Sequence, residues 1–256
     1  MHDISLAAAG GEEMLAMEAE ARRHMWGHWL AWWDGDSSRD LFEAKQAAKL
    51  FEICRFAPSQ AKAMAAVVHA HISLGDLETA DRSLDELIAL DVGPDSGPVR
   101  MAHLLEHCGF GLATIALLRN DTKRLRTIVS DYIRIRTNHG WRSFRPNVVC
   151  RLFFLAAEGL CNIADVELIS AEMMAERTFR LMDDSTSDEL LTFVTPTFFH
   201  AITELILRLD QARAVETKTL QRYARQTAKL LLKWRTLQPG LAGAPAMALN
   251  KIAGGA

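Results

Sequence analysis

Alternating polar and apolar runs, the mark of half-buried strands, are scarce in this chain, and only seven of its 256 residues are proline. With 49% of its residues apolar it still has the material for a large core. Together these facts argue against a β architecture and for an all-α one. No run of about 18 or more uninterrupted apolar residues occurs. Even Leu190 to Leu209 is broken by His200, Glu204 and Arg208, which argues against a membrane span. The opening MHDISLAAAGGEE has neither the basic start nor the long apolar core of a secretory signal, so a cytoplasmic setting is expected.

The signatures of common chemistries are missing as well. Cys54, Cys108, Cys150 and Cys161 are scattered without a Cys-x-x-Cys spacing and sit among apolar neighbours, which predicts buried free thiols. There is no phosphate-loop motif, no Gly-x-Ser-x-Gly elbow, and no Cys and His pairing with an orienting acid. Gly109-Phe110-Gly111 is half of a dinucleotide fingerprint and lies inside a helical pattern rather than after a strand. No cofactor is therefore expected. A net charge of −3 argues against a general nucleic-acid binder.

What the chain does contain is a complete helix-turn-helix from Ala61 to Pro94. Met64, Val67, Val68, His71 and Leu74 recur at helical spacing until Gly75-Asp76 interrupts them. Asp76 can cap a second helix whose stripe is Leu77, Ala80, Leu84, Leu87, Ile88 and Leu90, with Asp81, Asp85 and Glu86 facing water. Joined by so short a turn, the two helices must lie antiparallel, and neither can hide its stripe alone.

This segment resembles a tetratricopeptide repeat in length, in the turn at Gly75-Asp76, in the small Ala80 of the second helix and in Asp91 near its end. It differs where that family prefers an aromatic and a Leu-Gly pair, having Met64 and Val67-Val68, and its proline comes late, at Pro94. The resemblance implies a helical-repeat scaffold whose first helices line the concave side and whose partner is a protein or peptide.

Turn centres at Gly35, Gly75, Asn120, Asp165 and Asp210 are spaced 40, 45, 45 and 45 residues apart, a rhythm of stacked helix pairs. The expected fold is a right-handed α-α superhelix, or solenoid, of about five antiparallel pairs over residues 1–236. Residues 237–256 then form a Gly/Ala-rich tail or the start of a further repeat. Near it, KWRTLQPGLAGAPAMAL resembles the segment between repeats in the helical regions of bacterial regulatory ATPases, adenylate cyclases and transcriptional activators. That likeness implies a regulatory or sensor domain.

Charge varies by hairpin. The second helix of the central hairpin is acidic, the stretch from Arg119 to Arg151 is basic, Glu167 to Asp184 is acidic again, and Arg213 to Arg235 is basic. Stacked in order, neighbouring second helices would carry opposite charge and so help fix register. The loop Asn138 to Arg145 stands out because Arg142 and Arg145 flank Trp141 and Phe144 in a connection long enough for recognition. Among Trp26, Trp29, Trp32 and Trp33, the first, second and fourth share a helical face and Trp32 must point elsewhere, to cover the end of the stack or to meet a ligand. Trp32, His71, Arg142 and Arg145 are the candidate partner contacts.

A competing signal is His103-Leu104-Leu105-Glu106-His107, a His-x-x-Glu-His sequence similar to the zinc motif of the insulysin and pitrilysin family. The resemblance implies His103 and His107 as ligands and Glu106 as base, with a third ligand among Glu158, Glu167 and Glu172. Helical periodicity on both sides of the motif, where that family needs strands, argues for the scaffold. His24 and His28 repeat the four-residue spacing, without a third ligand nearby in sequence. A nucleic-acid-binding helical array is the third reading.

Overall fold

A computed structural model describes residues 2–93, 98–138, 148–185, 196–235, 248–249 and 251–254. Among the described residues every regular element is a helix. They are α1 (His2–Asp34), α2 (Ser37–Ile53), α3 (Ala57–Ser73), α4 (Leu77–Ala89), α5 (Pro98–Ala102), a π-helical segment (His103–Gly109), α6 (Phe110–Leu118), α7 (Thr122–Asn138), α8 (Val148–Ala164), α9 (Leu168–Asp183), α10 (Pro196–Ala212) and α11 (Thr217–Arg235). The expected boundary at 236/237 lies outside the described residues.

The turns share one construction. At Gly35, Arg55, Gly75, Asn120, Val166 and Arg213 the backbone turns left-handed, with φ between 49° and 78°. In each, the next residue's N–H donates to the carbonyl five residues back, as from Asp36 to Ala31 (2.9 Å), Asp76 to His71 (3.0 Å), Asp121 to Ala116 (2.9 Å) and Glu167 to Asn162 (2.8 Å). This is the Schellman closure, which satisfies carbonyls that a helix end would orphan. In three turns the residue after the left-handed one is an aspartate that starts the next helix: Asp36, Asp76 and Asp121 accept from the N–H of Arg39, Thr79 and Arg124 at 3.0, 3.1 and 2.9 Å. The sequence places the last two turns at Asp165 and Asp210; the left-handed residues stand slightly later, at Val166 and Arg213.

The chain gathers into two compact units, Met1–Gly111 and Leu112–Ala256. In the first, α1, α2, α3 and α4 pack each on the next in chain order, and α3 and α4 also meet the π-helical segment. The contact faces are rich in alanine, so the backbones come close. Ala21, Ala47, Phe51 and Ala63 form one buried cluster with Met25, Ala48 and Leu50 against it, and Ala44, Ala66 and Val67 form another with Leu41. Gly111 is equally tight, for a Cβ there would lie 3.2 Å from a Leu84 methyl.

In the second unit α8 is the hub, packed against α7, α9 and α10, and α10 in turn carries α11. Its residues Val149, Cys150, Leu152, Phe153, Phe154, Ala156, Ala157, Gly159, Leu160 and Cys161 are all buried, as an all-round apolar helix requires. Tyr132 of α7 stacks on Phe154 of α8 at 3.7 Å, and Phe179 of α9 on Tyr223 of α11 at 3.8 Å. Arg126 of α7 pairs with Asp165 before α9, linking a basic second helix to an acidic one as the charge pattern foresees. In each unit successive pairs lie against one another in chain order, which is the packing of an α-α solenoid.

Val99–Leu118 has the length and mean hydropathy (1.4) of a membrane span, which the reading of uninterrupted apolar runs overlooks. Some 61% of its 18-residue apolar window is buried inside the protein, and Arg100, His103, Glu106 and His107 lie on the helix. These are the properties of a core helix in an α-helical protein.

Candidate functional site

The aromatic and imidazole contacts expected from sequence are core residues. Trp32 is 7% exposed and packs edge-on between Trp29 (5.8 Å) and Trp33 (5.4 Å). Among the described indoles the one that faces solvent is Trp26, 71% exposed, with Leu30 one turn on at 57%. Trp32 thus lies on a different side of α1 from Trp26, as helical spacing places it, and it is the Trp32 side that α2 covers, leaving Trp26 outside. His71 is 6% exposed and its ring nitrogens have no hydrogen-bond partner; Asp76 lies 3.7 Å away. Burial, and then the nearby Lys45 ammonium, hold His71 below its ordinary pKa. Both side chains are therefore packed within the first unit. Arg142 and Arg145 lie outside the described residues.

The His-x-x-Glu-His sequence falls on the π-helical segment. Wider winding changes the facing of positions four apart, and the His103 and His107 rings meet edge to face at 6.2 Å. His103 Nε2 lies 3.4 Å from the Cys108 Sγ and its ring also meets the Leu87 backbone, while Nδ1 of His69 and His107 are buried without a hydrogen-bond partner. Burial pushes His69 and His103 down to about 4 and His107 down to about 3, so all three are neutral near pH 7. Among the described residues no group of three or more His, Cys, Asp or Glu side chains could hold a metal ion. The zinc reading of His103, Glu106 and His107 therefore lacks its assembled third ligand. Burial also pushes the thiols of Cys108 and Cys161 up, to about 12 and about 11, so neither is a poised nucleophile.

His24 and His28 are each taken by a carboxylate of α2. His24 Nδ1 lies 2.6 Å from Glu43, and His28 Nδ1 bonds Asp40, with His28 7% and Asp40 3% exposed. Gly27, between the two histidines, makes room: a Cβ there would stand 2.7 Å from the Glu43 carboxyl. The four polar groups form a seam between α1 and α2.

One concave feature joins several helices of the second unit. A cleft of about 160 Å³ is lined by Ala116 and Leu117 of α6, Asn120, Thr122 and Leu125 at the next turn, Leu160, Ile163 and Ala164 of α8, and Glu204 and Arg208 of α10. Six of these ten residues are apolar, and the polar ones are Asn120, Thr122, Glu204 and Arg208, the last two 3.5 Å apart. The sequence reading missed it because it is assembled from the ends of three first helices, each of which looks like ordinary core.

Antiparallel helix pairs, identical turn closures and chain-order packing define an all-α, tetratricopeptide-like helical-repeat protein. No family model matches the chain, and no curated protein does. Two solved structures are similar to it. The Q17M crystal structure of the Podosopora anserina putative kinesin light chain nearly identical TPR-like repeats shares 15% identity, with 88% of this chain and 97% of that one covered, at a TM-score of 0.48. A second structure of those repeats shares 15% identity over 86% and 96%, at 0.46.

Proposed function

We propose that the chain is a non-enzymatic scaffold that binds a protein or peptide partner, and that the cleft between α6, α8 and α10 anchors it. The carrying observation is the size of the cleft. At about 160 Å³ it falls below the roughly 300 Å³ at which pockets for whole small molecules begin, yet its lining is mostly apolar with a few polar groups. Such a site takes one apolar side chain of a larger partner, and Arg208 and Glu204 can then bond the partner's backbone or a flanking side chain.

A regulatory or sensor role in a bacterial signalling or transcriptional protein is the finer form of this reading. It rests on the likeness of KWRTLQPGLAGAPAMAL to the segment between repeats in such proteins. A cytoplasmic setting goes with it. Ala164, exposed at the end of α8, allows a test that leaves the core intact. Ala164→Trp fills the cleft; partner capture from native lysate should fall by about tenfold, some 1.4 kcal/mol, with an unchanged thermal midpoint. Equal capture of the same proteins by both forms would refute the cleft as the anchor.

A further inference from the structure

Helix α11 is charged in one sense only. It contains Lys218, Arg222, Arg225, Lys229, Lys233 and Arg235 and no aspartate or glutamate. The first four recur at i, i+4, i+7 and i+11, so they share one face and mark a line of about 16 Å at 1.5 Å per residue. All four are exposed. The opposite face, Leu220, Tyr223, Ala224, Thr227, Ala228 and Leu231, is buried.

The fold leaves this line uncompensated. Arginines on other helices are taken by carboxylates: Arg22 by Glu18, Arg126 by Asp165, Arg134 by Asp131, Arg180 by Glu176 and Arg208 by Glu204. On α11 they meet neutral groups instead, Arg222 the Tyr223 ring at 5.2 Å and Arg225 the Ala253 carbonyl at 3.4 Å. Among the described residues no carboxylate pairs with any of the four. Like charges three and four apart on a helix repel, and Lys218 stands in the first turn, where the helix dipole disfavours a cation. The stripe therefore costs stability, and no contact within the chain offsets that cost.

Chemistry selects the occupant. It must be anionic. Among the described side chains of α11 no large hydrophobic is exposed and the one aromatic, Tyr223, is buried. The stripe thus offers neither the apolar face that a membrane-bound helix inserts nor the stacking platform that single-stranded nucleic acid uses. It is one helix wide, and Glu172 and Glu176 of α9 act on the adjoining Tyr223, which disfavours a broad sheet of phosphates. Carboxylates on a second helix have the same rise per residue, so four of them at i, i+4, i+7 and i+11 stay opposite the four cations along the whole line. That spacing reads the same in both directions, so the second helix can run either way.

We infer that the Lys218–Arg222–Arg225–Lys229 stripe of α11 binds an acidic helix of a partner protein through carboxylates at matching spacing. No residue of α11 lines the cleft, so each surface can fail alone: Ala164→Trp should leave stripe binding unchanged.

The probe is a synthetic alanine-based helical peptide with four glutamates at that spacing, compared by fluorescence anisotropy with the same peptide carrying glutamines there. At low salt the full chain should bind the glutamate form saturably and the glutamine form at least about tenfold more weakly, and added salt should weaken the glutamate form by about tenfold. Lys218→Glu with Lys229→Glu should lose the glutamate peptide and gain its lysine counterpart, with a thermal midpoint unchanged or raised because repulsion is relieved. Lys45→Glu with Lys49→Glu makes the same change of net charge at exposed positions of α2 and should leave binding as it is. Absence of saturable binding, equal binding of the two peptides, an equal loss from the α2 pair, or a lower midpoint in the α11 pair overturns the proposal. So does tighter retention of duplex DNA or phosphatidylserine vesicles that the α11 pair abolishes, for the stripe would then serve phosphate. Sedimentation showing a dimer of the chain that the α11 pair dissolves overturns it as well, since the stripe would be a self-interface.

Discussion

The buried carboxylate of Asp40 bonds Nδ1 of the buried His28, tying α2 to α1 alongside the His24–Glu43 contact. Burial raises the Asp40 carboxyl above its ordinary pKa and the His28 bond pulls it back, so the two groups depend on each other. Asp40→Ala should lower unfolding free energy by about 3 kcal/mol, because it strands a buried imidazole. Replacing both with leucine should cost less than about 1 kcal/mol. Urea midpoints of the single and double variants check this; equal losses would show that the contact is only a filler of space.

Acid should weaken the first unit well before it protonates ordinary carboxylates. His69, His103 and His107 titrate at about 4, 4 and 3 in the folded chain against 6.5 unfolded, so the unfolded chain binds more protons below 6.5. Their stabilising contribution is complete above about pH 6.5 and shrinks as pH falls toward 4, by about 1 kcal/mol per histidine per pH unit. Urea midpoints at pH 7.5 and 5.5 should differ accordingly, and His69→Leu with His107→Leu should flatten the dependence. A wild-type midpoint that is constant over this range would contradict the burial of these rings.

The aspartate caps give a graded test of the turns. Asp76→Ala removes the bond to the Thr79 N–H and should cost about 1 kcal/mol. Asp36→Ala and Asp121→Ala should behave alike, whereas Glu167→Ala should be nearly neutral because the Glu167 side chain makes no capping bond. Differential scanning calorimetry of the four variants separates them.

Close packing around α8 makes Gly159 a sensitive position. A Cβ there would lie 2.9 Å from a methyl of Leu205, itself fully buried, and 3.4 Å from Cβ of Met174. Gly159→Val should destabilise the second unit by about 2 kcal/mol or more through overpacking. Restoration by Leu205→Ala in the same chain would identify the clash; a loss unchanged by it would not.

The hairpins were legible because their signals are local. Gly75-Asp76 and Asn120-Asp121 supply a left-handed residue followed by a cap, and the stripe from Leu220 to Leu231 has the helical period. The site was harder to read for identifiable reasons. Helical spacing groups Trp26 with Trp29 and Trp33, but which side of α1 is covered depends on α2 docking through Asp40 and Glu43, contacts 12 and 19 residues away. The π-helical winding at His103–Gly109 breaks the 3.6 period on which a four-residue histidine spacing relies. Val166 gives no turn signal at all, since its left-handed backbone contradicts the preference of its side chain.

The most direct measurement of the scaffold account is hydrogen–deuterium exchange on the full chain with and without the partner that Ala164→Trp fails to capture. The account predicts slower exchange on binding in segments 116–125, 160–164 and 204–208, which line the cleft. Exchange unchanged in all three, with protection confined to other helices, would contradict it.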